Sequence, residues 1–275
     1  MKILLASTLT AAVMLGLGGV AQAQDWQGPY LGGFVGYGFQ PEDDNKSIRF
    51  DTNLDGRFGD TVNTQAQANA FAPGFCSGRA NGVTPSSGCE QEDGAVDYGV
   101  RAGYDMQFGN FVVGGLIEVS RNEIEDSVAA FSSTPAQYTM TRELAALGAA
   151  RVRGGFAFSN ILVYGTGGYA VGLVDRSFST NNVVNSFIEQ GRGDDAQGFQ
   201  YGGGAELAFS PRFRIGAEYV RTELDDDHYR VRSSGPAPST NPFILVNAAG
   251  TDFARSDDKF EFDSVRLTMT YRFGG

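Results

Sequence analysis

The chain has 275 residues, a formal net charge of −11 and a single histidine. This acidic composition excludes non-specific nucleic-acid binding, which depends on Lys and Arg to neutralise phosphates. Beyond the N-terminal segment no run of 18 apolar residues occurs, which excludes helical membrane spans but not strands that are apolar on one face only.

Residues 1–23 have the pattern of a secretory signal peptide. Lys2 supplies a positive charge, an apolar run follows, and Ala21-Gln22-Ala23 matches the small-residue cleavage site. We therefore expect export, cleavage and one folded domain over residues 24–275. An uncleaved inner-membrane anchor is the alternative.

Alternating apolar residues predict eight β-strands in the rest of the chain. They lie at 30–39, 96–108, 111–120, a fourth ending at 158, then 161–173, 199–209, 213–219 and 265–273. In the last, Val265, Leu267 and Met269 alternate with polar residues. The fifth is apolar on both faces, so the pattern does not fix which face points inward.

The connections between these strands alternate between short and long. The short turns are Gly109-Asn110, Ser159-Asn160 and Ser210-Pro211-Arg212, whereas the long connections span about 40–94, 121–139, 175–196 and 222–260. This alternation is typical of bacterial outer-membrane barrels, which have short periplasmic turns and long extracellular loops. Two groups of aromatic residues, one near each end of the strands, fit the two membrane interfaces. The sequence thus predicts an all-β, eight-stranded antiparallel up-and-down transmembrane β-barrel.

The polar faces of the strands combine glycine with nearly balanced charge. A water-soluble barrel is the alternative, but its polar face would be outside and rich in Lys and Glu. A narrow interior must pair its charges, so we expect a charge network well inside the barrel. Its predicted members are Arg101, Glu118, Arg151, Arg153, Glu206, Glu218 and Arg266. Four further charges, Asp97, Asp105, Arg214 and Arg272, are expected nearer the ends.

Cys76 and Cys89 lie in the first long connection. In an exported chain two cysteines predict a disulfide, with free thiols as the alternative. In the same connection Asp51, Asn53 and Asp55 match the first half of a calcium loop, but Val62 stands where the closing Glu belongs. A solvated acidic turn is the default interpretation.

Two further motifs contain residues that could carry chemistry. Residues 165–170 fit a dinucleotide fingerprint, but a helix must start there and the pattern continues as a strand, so no cofactor is predicted. His228 follows three aspartates and could pair with Ser233, although no rigid element places a nucleophile. We therefore expect no enzymatic activity.

Several stretches carry a family resemblance. In chain order they are "GPYLGGFVGYGF", "YDMQFGNFVVGGLIE", "LVYGTGGYAVG", "YGGGAELAFSPRFRIGAEY" and "SVRLTMTYRF". The chain resembles the OmpA-like eight-stranded barrels, in particular the small porin-family surface antigens. The resemblance implies location in the outer membrane, contact with its lipid, and dependence on the barrel assembly machinery and periplasmic chaperones.

Long loops concentrate binding function, so we expect a structural or surface-interaction role, in envelope integrity or adhesion, through host or cell-surface ligands. A passive diffusion pore is the alternative, although an eight-stranded interior is only wide enough to be filled by side chains. A lipid-modifying barrel enzyme is the third reading.

Overall fold

The computed structural model describes residues 25–41, 45–90, 94–191, 193, 195–226 and 228–273. The predicted signal peptide therefore lies outside the described residues. In these ranges the strands are β1 Gly28–Phe39, β2 Ile48–Asp51, β3 Gly74–Ser77, β4 Ala95–Phe108, β5 Phe111–Arg121, β6 Glu125–Ser132, β7 Ala136–Phe158, β8 Ile161–Thr180, β9 Ser186–Gln190, β10 Asp195–Ala208, β11 Phe213–Asp225, β12 Arg230–Ser234, β13 Thr251–Arg255 and β14 Lys259–Arg272. Short 3-10 turns span Pro85–Ser87 and Pro242–Ile244. Within the described ranges no helix is long and apolar enough to cross a bilayer.

Eight strands form a closed antiparallel ring in the order β1, β4, β5, β7, β8, β10, β11 and β14, with β14 pairing back to β1. The predicted eight-stranded barrel is therefore confirmed. Three of its connections are the predicted tight turns, because β4 ends at Phe108, β7 at Phe158 and β10 at Ala208, and only two, two and four residues separate them from the next strand.

The alternation of side chains also agrees with the predicted faces. Val100, Val152 and Leu267 are exposed on the outer wall, whereas their charged neighbours point inward and are buried. The structure explains why the sequence of β8 is apolar on both faces. Its outward residues meet lipid, and its inward Leu162, Tyr164, Ala170 and Val174 pack in two apolar layers inside the barrel.

Inward-facing glycines make room for the interior charges. Gly32 stands in register beside Arg101, Gly36 beside Arg266, and Gly168 beside Arg151. A Cβ at Gly36 would collide with the backbone of Val265 and Arg266 on the next strand. Glycine and charge therefore occur together on the polar faces for a packing reason. Each arginine side chain extends into the lumen through the space that a side chain on the neighbouring glycine would fill.

The long connections contain strands that the alternation pattern did not predict. β7 begins at Ala136 and β8 ends at Thr180, so both strands run beyond the barrel and pair with each other there. β6 and β3 extend this sheet in the order β3-β6-β7-β8. A second sheet has the order β2-β13-β12-β9. Strands this short leave too few alternating residues to be recognised by pattern alone.

We call these two sheets the cap. They pack face to face through an aromatic core: Tyr138 of β7 lies 5.8 Å, and Phe178 of β8 6.2 Å, from Phe253 of β13, measured between ring centroids. The buried members of this core are Ile48, Phe50, Val62, Ala70, Phe71, Val128, Ala130, Ala136, Tyr138, Met140, Tyr229, Val231, Phe243 and Phe253. The cap is therefore a β-sandwich with a core separate from that of the barrel.

Candidate functional site: barrel interior and cap

The middle of the barrel is crossed by a layer of ion pairs. Arg101 Nη2 lies 3.1 Å from Glu118 Oε2 and 2.6 Å from Glu218 Oε2. Arg151 Nη2 lies 2.7 Å from Glu118 Oε2, and Arg266 Nη1 lies 2.8 Å from Glu118 Oε1. All five side chains are buried. Two carboxylates thus share three guanidinium groups contributed by strands on different sides of the lumen.

A second layer lies nearer the tight turns. Arg153 donates two hydrogen bonds to Asp105 and one, of 2.5 Å, to Glu206, while Arg272 Nη2 lies 2.6 Å from Asp105 Oδ2. The structure therefore brings all seven predicted network residues into two adjacent layers.

The four charges expected nearer the ends of the barrel, Asp97, Asp105, Arg214 and Arg272, are not exposed to water there. All four are buried, and Asp97 joins the middle layer through Arg266 Nε at 2.6 Å. The physical reason is that both ends of the lumen are closed, so charges near the ends are removed from water as completely as those at the centre.

The end near the tight turns is closed by Trp26. Its side chain is buried in an apolar cluster with Val112, Ala157, Leu162, Tyr164 and Ala208. Arg214 lies over the indole, with 4.7 Å between its guanidinium carbon and the ring centroid. Arg214 Nη2 also donates to the carbonyl oxygen of Asp25 at 2.7 Å, so the segment before β1 is fastened across this end.

The other end is closed by a larger apolar layer. Phe260 and Phe262 of β14 pack there with Leu144 and Leu147 of β7 and with Ile124. This layer lies between the ion pairs of the barrel and the cap. From end to end the lumen therefore holds an apolar layer, two charged layers and a second apolar layer.

A separate group of charges fastens the cap to the barrel. Arg142 of β7 contacts three carboxylates: Asp126 Oδ2 at 2.6 Å, Asp226 Oδ2 at 3.0 Å and Asp257 Oδ2 at 2.5 Å. Its guanidinium also lies 4.9 Å over the Phe260 ring. Burial disfavours the charged form of Arg142, but the three carboxylates outweigh this and raise its pKa.

Arg255 and Lys46 also contact Asp126, at 2.7 and 2.9 Å. Sequence reasoning missed this group because every member except Arg142 lies in a segment assigned to a long connection. The available signal was the alternation of Val128 and Ala130, and of Tyr138 and Met140, around Pro135, which is a hairpin pattern.

The predicted site residues of the first long connection all lie in or beside the cap. Cys76 and Cys89 form a disulfide with 6.3 Å between their Cα atoms. The oxygens of Asp51 accept hydrogen bonds from the backbone amides of Leu54, Asp55 and Gly56, and Asn53 and Asp55 likewise accept from the turn. These oxygens stabilise a tight turn. Among the described residues no group of three or more His, Cys, Asp or Glu could hold a metal ion.

Neither of the other two motifs forms a site. Residues 165–170 lie inside β8, paired on both sides with β7 and β10, so the strand continues there as the sequence pattern predicted and no helix starts. His228 is exposed, whereas Ser233 is fully buried on β12. A substrate cannot reach the Ser233 hydroxyl, so these two residues do not form an accessible nucleophile–base pair.

Charge is distributed very unevenly between barrel and cap. Segments 40–94, 121–143, 174–197 and 221–263, which hold the cap and its connections, contain 26 Asp and Glu against 13 Lys and Arg. The remaining residues after position 24 contain six Asp and Glu against seven Lys and Arg. The excess of negative charge therefore lies in the segments that connect the barrel strands at one end.

Comparison with known proteins finds two curated relatives and several solved structures. The chain is 26% identical over 193 residues to the 31 kDa outer-membrane immunogenic proteins of Brucella melitensis biotype 1 and Brucella suis biovar 1, covering 67% of this chain and 72% of each relative. No family model matches. The solved structures include OprG from Pseudomonas aeruginosa (13% identity, TM-score 0.47, covering 91% of this chain and 100% of OprG) and Ail from Yersinia pestis (13% identity, TM-score 0.33, covering 90% and 99%). The protease OmpT from Escherichia coli is also similar (9% identity, TM-score 0.39, covering 94% and 99%).

Proposed function

We propose that this outer-membrane β-barrel protein is a sealed membrane anchor that holds a folded, acidic cap outside the cell, where the cap contacts other molecules. The observation that carries the proposal is the cap itself. Its two sheets bury an aromatic core, with Phe50 and Phe71 stacked at 4.4 Å, that contributes nothing to the barrel wall. A separate core outside the membrane supports a role for the cap beyond connecting strands.

The filled lumen supports the role of an anchor over that of a pore. An eight-stranded barrel is only wide enough for side chains. Here Trp26 closes one end and Phe260 and Phe262 close the other, with two layers of ion pairs between them. A hydrated ion crossing this lumen would have to displace all four layers.

The charge of the cap indicates which partners it favours. An excess of negative charge on one surface attracts cations, speeds their association and makes binding sensitive to salt. We therefore propose that the cap contacts cationic surfaces on host cells or in the surrounding matrix. The two Brucella relatives are named as immunogenic, which accords with a domain displayed at the cell surface.

Biogenesis follows from this location. We propose that residues 1–23 direct export and are removed, and that periplasmic chaperones and the barrel assembly machinery deliver the strands into lipid. Phe273, exposed on the outer wall at the end of the described chain, is one of the aromatic residues that would meet the membrane interface.

The test is attachment of bacteria that lack other adhesins and carry either the full chain or a matched variant. Glu90, Glu123 and Asp175 are exposed in the cap, so their replacement by amides lowers its charge without touching its core. Neutral exchanges at the equally exposed Thr61 and Gln65 serve as the control. We expect the full chain to increase attachment to host cells and the three-amide variant to reduce this several-fold, more strongly at low salt. No increase with the full chain would reject the proposal.

A further inference from the structure

The far side of the cap exposes apolar side chains where no lipid covers them. Val183, in the turn between β8 and β9, is 93% exposed, and Val184 beside it is 50% exposed. Ile188 on β9 is 56% exposed. On the barrel wall such residues face acyl chains, but these three belong to the cap. Contiguous apolar residues exposed to water mark interaction surfaces.

The same side of the cap has two open sheet edges. β9 pairs with β12, and no other strand in the described ranges pairs with it. The ladder between β8 and β10 ends at the pair Leu173 and Asp195. Among the described residues, the part of β8 beyond Leu173 pairs with β7 only. Phe178 and Phe187, with ring centroids 5.2 Å apart, join the two edges. An open edge offers backbone N–H and C=O groups to another chain.

A groove of about 250 Å³ opens beside Val183 and Val184. It lies between the turns at 132–136 and 181–184 and the 3-10 turn at Pro242, and no Asp, Glu, Lys, Arg or His lines it. In segments where acidic residues are twice as frequent as basic ones, an uncharged groove disfavours a charged occupant. Burying an unpaired charge there would be costly, because no partner compensates it.

We infer that the open edge of β9, with Val183, Val184 and Ile188 beside it, is a docking surface for an extended, uncharged strand of a partner protein. The strand would add to the sheet β2-β13-β12-β9 through backbone hydrogen bonds, and its alternate apolar side chains would cover the exposed valines. This inference rests on the proposed surface function of the cap and specifies the kind of partner that the cap would bind.

A neutral glycan fits this surface less well than a peptide. The side-chain amide of Asn182 is already bonded to the Tyr138 hydroxyl and to Asn185, and the amide of Asn241 is bonded to Asn185. Tyr138 and Phe243 are buried, so neither ring offers a face on which a sugar could stack. The open edge of β9 presents backbone N–H and C=O groups, and Val183, Val184 and Ile188 present exposed aliphatic side chains, a combination that recognises another strand.

The experiment uses the full chain refolded in detergent and two synthetic probes. One is an eight-residue peptide of alternating Val and Thr with blocked termini, and the other is the same peptide methylated on every amide nitrogen. Hydrogen exchange of Ser186–Gln190 reports on the edge. We expect the first peptide to slow exchange there at least tenfold and the methylated peptide to have no effect, because it has no backbone N–H donor on either edge.

A variant tests how much the exposed valines contribute to binding of the peptide. Val183→Ser combined with Val184→Ser changes two exposed turn residues and leaves the core intact, which the gel mobility of the folded barrel checks. We expect this variant to bind the peptide at least fivefold more weakly, whereas Val83→Ser, in the disulfide loop, should bind normally.

Each of the following results would overturn the inference: no binding of the peptide, equal binding of the methylated peptide, protection only outside β9, or protection of the groove by a neutral oligosaccharide such as cellohexaose instead. Self-association of the chain that the Val183/Val184 variant abolishes would also overturn it, since the occupant would then be a second copy. Host-cell attachment that persists in this variant would leave the proposed function standing, whereas attachment that is absent from the full chain would reject that function itself.

Discussion

Arg153 and Asp105 form a doubly hydrogen-bonded ion pair inside the barrel, with Nε 2.9 Å from Oδ1 and Nη2 2.6 Å from Oδ2. The pair lies close to the tight turns, at the level where the interior of an open barrel would meet water. Asp105 is nevertheless fully buried. The apolar layer around Trp26 keeps water away from Asp105. Because Asp105 is buried, removing it should lower the free energy of unfolding more than removing an exposed charge would.

Asp105→Ala should therefore destabilise the barrel strongly. The substitution leaves Arg153 and Arg272 buried with one fewer carboxylate, and breaking a buried pair typically costs about 3 kcal/mol or more. Reversible urea unfolding in lipid or detergent measures this loss. Asp175→Ala, at an exposed position of β8, is the matched control and should cost under about 1 kcal/mol. Equal losses for the two variants would show that water reaches the Asp105 layer.

Glu118→Gln should destabilise the barrel by a similar amount, about 3 kcal/mol or more, because Glu118 accepts hydrogen bonds from Arg101, Arg151 and Arg266. The amide keeps the shape but removes the charge shared by three guanidinium groups. The same unfolding experiment with Glu123→Gln, at an exposed position, provides the control. A loss below 1 kcal/mol for Glu118→Gln would mean that Glu218 and Asp97 suffice to balance the layer.

Sequence reasoning identified the barrel because its strands are long and their faces differ strongly. The strand before Phe273 alternates Val265, Leu267 and Met269 with buried polar residues without interruption, and the structure has the same faces. Which charges are deeply buried could not be predicted in this way. Burial of Asp105 depends on Trp26, 79 positions earlier in the chain, folding across the lumen, and no local pattern reports that contact.

The cap was missed for a related reason. β2, β3, β9, β12 and β13 have four or five residues each, and their partners are distant in sequence: Phe50 pairs with Phe253. Strands of this length are defined by their neighbours more than by their own alternation. The same holds for the contacts of Arg142 with Asp226 and Asp257, which become visible only when β7 is known to extend beyond the membrane.

Arg142→Gln should loosen the cap and leave the barrel folded. Removing the guanidinium leaves Asp126, Asp226 and Asp257 with less compensation, at a cost of about 3–5 kcal/mol confined to the junction. Limited proteolysis should then cut within the cap, while the folded barrel keeps its shifted gel mobility without boiling. Arg79→Gln, an exposed ion pair with Glu125, is the control and should be indistinguishable from the original chain. Unchanged resistance of the Arg142 variant would contradict the assigned junction.

Cys89→Ser should affect only one edge of the cap. The disulfide closes a loop of 13 positions, whose constraint contributes about 3 kcal/mol in the chain-entropy model. We expect faster proteolysis between residues 76 and 89 and an intact barrel by gel mobility. Failure of the variant to insert into the membrane would show that the disulfide is needed before the barrel closes.

Conductance of the purified, refolded chain in planar lipid bilayers tests the central claim most directly, because a sealed anchor and a diffusion pore differ in this property alone. Trp26, the two layers of ion pairs and the Phe260–Phe262 layer fill the lumen in succession. The result expected is a membrane whose current stays at the level of a protein-free bilayer across a range of voltages and salt concentrations. Sustained, uniform conductance steps that scale with the amount of folded protein would contradict the account.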